Sequence, residues 1–275
     1  MAARRRLHSA FLTLLATAMS VVFIFPIYWI ATMSFQDGPT SSTLPPKFVF
    51  WPTIANYVNL FETSGFGRVL GNTIVIALGT TLVALVLGTP AGYALARFRV
   101  ARAETISFAV LSVRIVPGYV AVIPLFIILQ NIGLFGTRLG VIVAGSLIGV
   151  SFVMWMMRAF FSAIPVELEE AAMIDGCTRI AAILRISLPL VAPGLVATAI
   201  FTAIGAWNEF VLVLILGGEA AKTMPVALGG LVTEQRAEWG QLAAGGVMTM
   251  LPVIVFAVLV RRYFLAGSTA GSVNA

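Results

Sequence analysis

Little in this sequence can bind a metal, close a disulfide or run acid–base chemistry. The single cysteine, Cys177, leaves no intrachain disulfide to form. The single histidine, His8, sits in a basic N-terminal tail and argues against a histidine-based metal site or a serine–histidine triad. Charge is equally scarce: 10% of residues are Asp, Glu, Lys or Arg, where a soluble domain carries roughly 25%. Too few polar groups remain to cover a globular surface. With 60% hydrophobic residues and a mean hydropathy of +1.02, the surplus apolar area needs lipid as its solvent. A phosphate-binding loop is missing too. The nearest approach to G-x-x-x-x-G-K-[ST] is GGEAAKT at 217–223, which lacks the glycine before Lys222 and is one residue short from Gly217. What stands in excess is positive charge, a net +6 with a pI near 10.1. In a chain this apolar, that excess reads as basic residues in cytoplasmic loops and not as a nucleic-acid surface.

A helix needs about 20 apolar residues to cross the hydrocarbon. Six runs qualify: 11–33, 69–96, 139–157 and 242–260 carry no charge, 105–129 carries only Arg114, and 190–216 only Glu209. Backbone groups in lipid must be satisfied within the segment, and long continuous runs fit helices where barrel strands would alternate. The first run follows Arg4, Arg5 and Arg6, as a signal peptide would, but a signal's apolar region is only about 7–15 residues long. Here it continues through FIFPIYWI, so an uncleaved first span is expected. Placing the N-terminus in the cytoplasm puts 11 basic residues in inner segments and 5 in outer ones, with Arg114 within a span completing the 17. That asymmetry predicts both termini inside.

The long inner loop carries the most information. It reads RAFFSAIPVELEEAAMIDGCTRIAAILRISLPLVAPG from Arg158. Pro165 suits the first position of a helix, and Glu167, Glu169 and Glu170 fall near its start, where the macrodipole favours negative charge. Asp175-Gly176 supplies a stop, because glycine accepts the left-handed conformation that ends helices. A second short helix is expected from about Thr178 until Pro189 interrupts it. Ala171 and Ala172 permit close approach of another backbone, while Met173 and Ile174 add apolar area that a solvated linker does not need. Two readings stay open on the residues alone: an amphipathic loop packed on its own bundle, or a surface that docks into a partner's cleft.

The stretch EAAMIDGCTRIAAILRISLP resembles the EAA loop of bacterial ABC importer permeases: Glu-Ala-Ala, two residues, Asp-Gly-Ala, eight residues, then Ile-x-Leu-Pro. Glu170, Ala171, Ala172, Asp175, Gly176, Ile186, Leu188 and Pro189 match in spacing, and Cys177 stands where the family usually has alanine. The stretches AWNEF (206–210), TMPVALGGL (223–231), the tail RRYFLAGSTAGSVNA and NTIVIALGTTLVALVLGTPAGYALARF resemble the carbohydrate-uptake branch, of maltose and glycerol-phosphate type. The resemblance implies an all-α integral membrane protein of six transmembrane helices, with the type I importer fold and cytoplasmic coupling helices. It implies that Glu170 and Gly176 carry the contact and the turn of that loop. It further implies a second homologous permease, a dimer of cytoplasmic ATP-binding subunits and an extracytoplasmic solute-binding protein as partners, beside membrane lipid. On this view the chain binds no cofactor of its own, ATP and magnesium belong to the partner ATPase, and the chain lies in the bacterial cytoplasmic membrane as a multi-pass protein. The expected domains are a tail, first helix and outer loop over 1–68, a core over 69–264 with the loop at about 158–191, and a cytoplasmic tail over 265–275.

Ionisable groups inside spans are expensive and therefore candidates for function. Arg114 lies nine residues into its run, followed by Pro117-Gly118 and Pro124, which loosen a helix and free carbonyls. Trp207, Asn208 and Glu209 set an aromatic face beside amide and carboxylate acceptors, chemistry suited to sugar hydroxyls. Asn72, near the start of the second run, is a further candidate for the solute path. The alternatives are that Arg114 and Glu209 make structural hydrogen bonds and that Trp207 anchors at the membrane interface. A stand-alone secondary transporter is the competing function. It would use an ion gradient through carboxylates in the spans, of which only Glu209 is available.

Overall fold

The computed structural model describes residues 2–41, 43, 47–63, 65–112, 118–231 and 238–270, and all regular structure among them is helical. In chain order the helices are α1 (Ala2–Ser34), α2 (Gly38–Ser41), α3 (Ala55–Thr63), α4 (Phe66–Arg97), α5 (Ala103–Ser112), α6 (Gly118–Asn131) and α7 (Arg138–Ser162). Then follow α8 (Glu167–Ile174), α9 (Arg179–Ala182), a π turn (Ile183–Ser187), α10 (Leu188–Trp207), α11 (Val211–Leu216), α12 (Met224–Gly229) and α13 (Trp239–Ala270).

Among the described residues, five helical stretches are long and apolar enough to cross a membrane: His8–Ser34, Phe66–Arg97, Arg138–Ser162, Arg179–Trp207 and Trp239–Leu259. Of the expected third span, 105–129, the described residues are helical up to Ser112 in α5 and again from Gly118 in α6. Arg114 and Pro117, which lie between them, are outside the described residues. The expected fifth span differs. Helix α10 ends at Trp207 and α11 begins afresh at Val211, because Asn208 leaves the helical conformation and Glu209 Oε1 accepts a hydrogen bond from the Leu212 N–H at 3.0 Å. Nor does Pro189 interrupt a helix. The Leu188 N–H donates to the Ile183 carbonyl five residues back, so a π turn widens the ladder just ahead of the proline ring. The helix then absorbs a residue that lacks an N–H.

The residues cluster into two compact units, Met1–Phe66 with Leu228–Leu251, and Gly67–Ala227 with Pro252–Ala275. In the first, side chains over 8–28 of α1 are exposed all round, as suits a helix solvated by lipid. Its far end is tied to the segment that follows: the Asn56 amide donates to the Ser34 carbonyl at 3.0 Å, and the Thr53 N–H to the Phe35 carbonyl at 2.8 Å.

The second unit is built on close contact of α4, α7 and α10. Glycine lets the first two approach. A Cβ at Gly79 would meet Ile142, one at Gly88 would meet Val153, and one at Gly92 would meet Met157. Positions rise together along both helices, so α4 and α7 run parallel. By the same reading Gly194 faces Phe160 while Gly149 faces Thr202, so α10 runs antiparallel to α7. Parallel neighbours in sequence require the chain to return the length of the pair between Arg97 and Arg138, the stretch that holds α5 and α6. Ala84, Tyr93, Val153, Met157, Phe161 and Val191 form the core where the three helices meet.

Candidate functional site

The connection from α7 to α10 folds as a compact helix-turn-helix. Helix α8 opens with Glu167, Glu169 and Glu170 in its first turn. The helix starts at Glu167 with Val166 as its N-cap, so Pro165 precedes the helix and does not hold its first position as expected. Its end is a full glycine cap. Gly176 has φ +89°, its N–H donates to the Met173 carbonyl at 3.1 Å, and the Cys177 N–H donates to the Ala172 carbonyl at 3.0 Å. Thr178 then caps α9 by accepting from the Ala181 N–H at 3.3 Å.

The loop presents two faces. Ala172 is buried, and Ile186 and Leu188 are half-buried, with Leu188 packed on the core around Tyr93 and Phe161. Glu170, Ala171, Asp175, Gly176 and Pro189 are exposed. Beside them two large apolar side chains stand in the open, Ile174 at 86% and Ile180 at 70% of their full exposure.

The residue that ties this loop to the helices is Glu169, which sequence reasoning placed only among the acids near the start of α8, with Glu170 singled out for the contact. Glu169 is only 5% exposed. Its Oε1 accepts from Arg97 Nε at 2.8 Å and from Ser187 Oγ at 2.6 Å, and its Oε2 accepts from the Tyr93 hydroxyl at 2.7 Å. Arg97 also donates through Nη2 to the Ile164 carbonyl at 3.0 Å. Burial pushes the Glu169 carboxyl's pKa up, but the hydrogen bonds from Ser187, Arg97 and Tyr93, with the Arg97 charge, outweigh it and hold the group below the ordinary carboxylate range. Stabilisation from this carboxylate is therefore present above the ordinary glutamate pKa and is lost only as pH falls through the lowered one. The signal available in the sequence was phase. Glu169 and Ala172 are three residues apart and share a face, whereas Glu170 points about 100° away.

The solute-path candidates are dispersed. Trp207 is buried, at 5% exposure, and is not an interfacial belt residue. Asn208 is exposed and its amide donates back to the Ile204 carbonyl of its own helix at 2.8 Å. Glu209 caps α11 and also borders a pocket of about 100 Å³ between α4, α7 and α10, which Thr80, Gly145, Gly149, Phe152 and Gly205 help to line. Asn72 is fully buried elsewhere, its amide donating to the Ala220 and Lys222 carbonyls at 3.0 and 2.9 Å, so it pins the loop before α12 to the start of α4. Of the candidates within the described residues, only Glu209 borders this pocket.

Residues 84–265 match the family described as binding-protein-dependent transport system inner membrane component. The chain is 36% identical to the trehalose transport system permease protein SugB of Mycobacterium tuberculosis, covering 100% of both. It is 31% identical to the trehalose/maltose transport system permease protein MalG of Thermococcus litoralis, covering 94% of each. In fold it is similar to a chain of a bacterial ABC transporter involved in the import of the acidic polysaccharide alginate, with a TM-score of 0.78 at 23% identity over 94% of this chain and 97% of that one.

Proposed function

This chain belongs to the family of binding-protein-dependent transport system inner membrane components, and on that premise we propose that it is one of two permease subunits of an ATP-driven importer for a sugar or sugar-like solute. The observation that carries the reading is the outward face of the α8–α9 loop. Glu170, Ala171, Asp175 and Gly176 lie exposed beside the bare Ile174 and Ile180, a surface suited to a cytoplasmic ATP-binding subunit that holds the ATP and magnesium. Ile186, Leu188 and Pro189 continue the same element into α10. Relatives named for trehalose and for trehalose/maltose support a sugar-like cargo, delivered by an extracytoplasmic binding protein. Family membership speaks against a stand-alone secondary transporter. The test is reconstitution in vesicles with the partner subunits. Uptake should require ATP and binding protein together, and uptake that persists without ATP overturns the reading.

The orientation proposed is six crossings with both termini cytoplasmic. The parallel register of α4 and α7 supports a return crossing through α5 and α6. Reporter fusions after Arg102 and Thr178 are expected to behave as cytoplasmic, and fusions after Ser41 and Glu219 as external. An external signal at Arg102 defeats this topology.

For the solute path we propose Glu209, with Arg114, Trp207, Asn208 and Asn72 as further candidates. Glu209→Gln keeps an oxygen to cap α11 but removes the charge beside the pocket. Uptake should fall by roughly tenfold, the value of one hydrogen bond to a charged group, while the subunit still assembles. Normal uptake by this variant removes Glu209 from the path.

A further inference from the structure

A docked partner can drive the spans only if the docking loop is tied to them. Most of α8 is not: Glu167, Leu168, Glu170, Ala171 and Ile174 are exposed, as are the flanking Val166, Asp175 and Gly176, and within the helix only Glu169 and Ala172 are buried. Ala172 offers a methyl group. Glu169 offers three side-chain hydrogen bonds, and they reach two other parts of the bundle. Tyr93 and Arg97 belong to the last turns of α4, and Ser187 closes the π turn that leads into α10. Through Arg97 the same cluster holds the Ile164 carbonyl, just past the end of α7. Four segments thus meet at one buried carboxylate, whose ion pair with Arg97 has both side chains nearly inaccessible.

We infer that Glu169 is a positioning residue that joins the docking helix to the second and fifth expected spans, so that displacement of α8 is delivered to α4 and α10 as one rigid motion. Ionic groups add little to stability over well-packed apolar residues of similar volume. What they add is direction, since each oxygen of a carboxylate accepts along defined lines and each donor here comes from a fixed backbone. The π turn fits the same role. It sets Ser187 facing Glu169 while the helix continues past Pro189 without a break. Glu169 and its neighbour Glu170 then divide the labour: one faces inward to the spans and the other outward to the partner.

The inference rests on the docking role proposed above, and the experiment separates the two. Full complexes are purified with wild-type chain, Glu169→Gln, and Tyr93→Phe. Three quantities are read: ATP-binding subunit recovered per permease, unstimulated ATP hydrolysis, and hydrolysis stimulated by solute-loaded binding protein. Glutamine keeps one acceptor oxygen but puts an NH2 group opposite a donor and removes the charge that pairs with Arg97. In Glu169→Gln the ATP-binding subunit should be recovered at the wild-type ratio, while the ratio of stimulated to unstimulated hydrolysis falls by roughly tenfold, the size expected for one hydrogen bond to a charged group. Tyr93→Phe removes a single donor and should show a smaller loss of the same kind. Full stimulation in Glu169→Gln with normal recovery overturns the inference. If Glu169→Gln fails to assemble, Tyr93→Phe decides: reduced stimulation at normal recovery supports the joint, and full stimulation overturns it. Failure of the wild-type chain itself to recover an ATP-binding subunit sinks the docking role instead.

Discussion

Replacing Gly92 with leucine is expected to prevent the chain from accumulating in folded form. A Cβ at Gly92 would lie 2.8 Å from the Arg158 nitrogen, 2.8 Å from the Met154 carbonyl oxygen and 2.9 Å from Met157 Cβ. Two of these atoms are backbone and the third is a Cβ, so no rotamer change relieves the overlap, and α4 and α7 must separate. Separation there opens the levels beside it, where Gly88 meets Val153 and Gly149 meets Ala84. Small residues spaced along a membrane helix serve this purpose, because association in lipid depends on close van der Waals packing and not on exclusion of water. Overpacking a tight core costs about 1–3 kcal/mol even when side chains can adjust, and here the backbone must move. Gly71→Ala is the control. Its added Cβ meets nothing within 4 Å, and alanine is the better helix former. The measurement is the yield and thermal midpoint of monodisperse protein in detergent. Wild-type values for Gly92→Leu would show that the two helices do not rely on this contact.

Gly92 also illustrates what was legible in the sequence and what was not. Apolarity over about 20 residues marked out the five helical stretches that are long enough to cross, because lipid imposes that length and that composition. Apolarity does not mark where a helix breaks and resumes within such a run. Residues 211–216 are as hydrophobic as those before Trp207, and only the Glu209 cap separates them. Pro189 misled in the opposite direction, since a π turn let the helix pass through it.

The candidate site divides along the same line. Local chemistry was readable: the acidic first turn of α8, the glycine cap at Gly176 and the Thr178 cap of α9 follow from residue type and spacing alone. The partners of Glu169 were not readable, because Tyr93 and Arg97 are 76 and 72 residues away in sequence. Whether an acid in a run of three is buried or exposed turns on a single step of helical phase. Consecutive residues Trp207, Asn208 and Glu209 were read as one cluster, yet the end of α10 falls among them and sends their side chains to three different surroundings.

Valine at Gly176 and lysine at Glu170 should both leave the chain in the membrane and strip it of its ATP-binding partner. Gly176 holds φ +89°, and a Cβ built there meets nothing within 4 Å. The cost within the chain is therefore conformational, about 1–2 kcal/mol for an L-residue forced left-handed, and a β-branched side chain tolerates it least. The chain is expected to relieve that strain by rearranging the cap. The hydrogen bonds from Gly176 and Cys177 to the Met173 and Ala172 carbonyls then weaken, and the exposed Ile174 and Asp175 move with them. No buried packing is disturbed, so insertion should be normal. Glu170→Lys acts without strain. The side chain is exposed, and an exposed substitution ordinarily changes stability by less than about 0.5 kcal/mol. At an interface that expects an acid, however, a like charge costs several kcal/mol, and about 3 kcal/mol is roughly a hundredfold in affinity. The measurement is recovery of the ATP-binding subunit on affinity-tagged permease, with solute-stimulated ATP hydrolysis as the second readout. Both should fall together in both variants, in contrast to Glu169→Gln, where recovery is retained. Wild-type recovery and transport in Gly176→Val and Glu170→Lys would remove the α8–α9 loop from the docking surface.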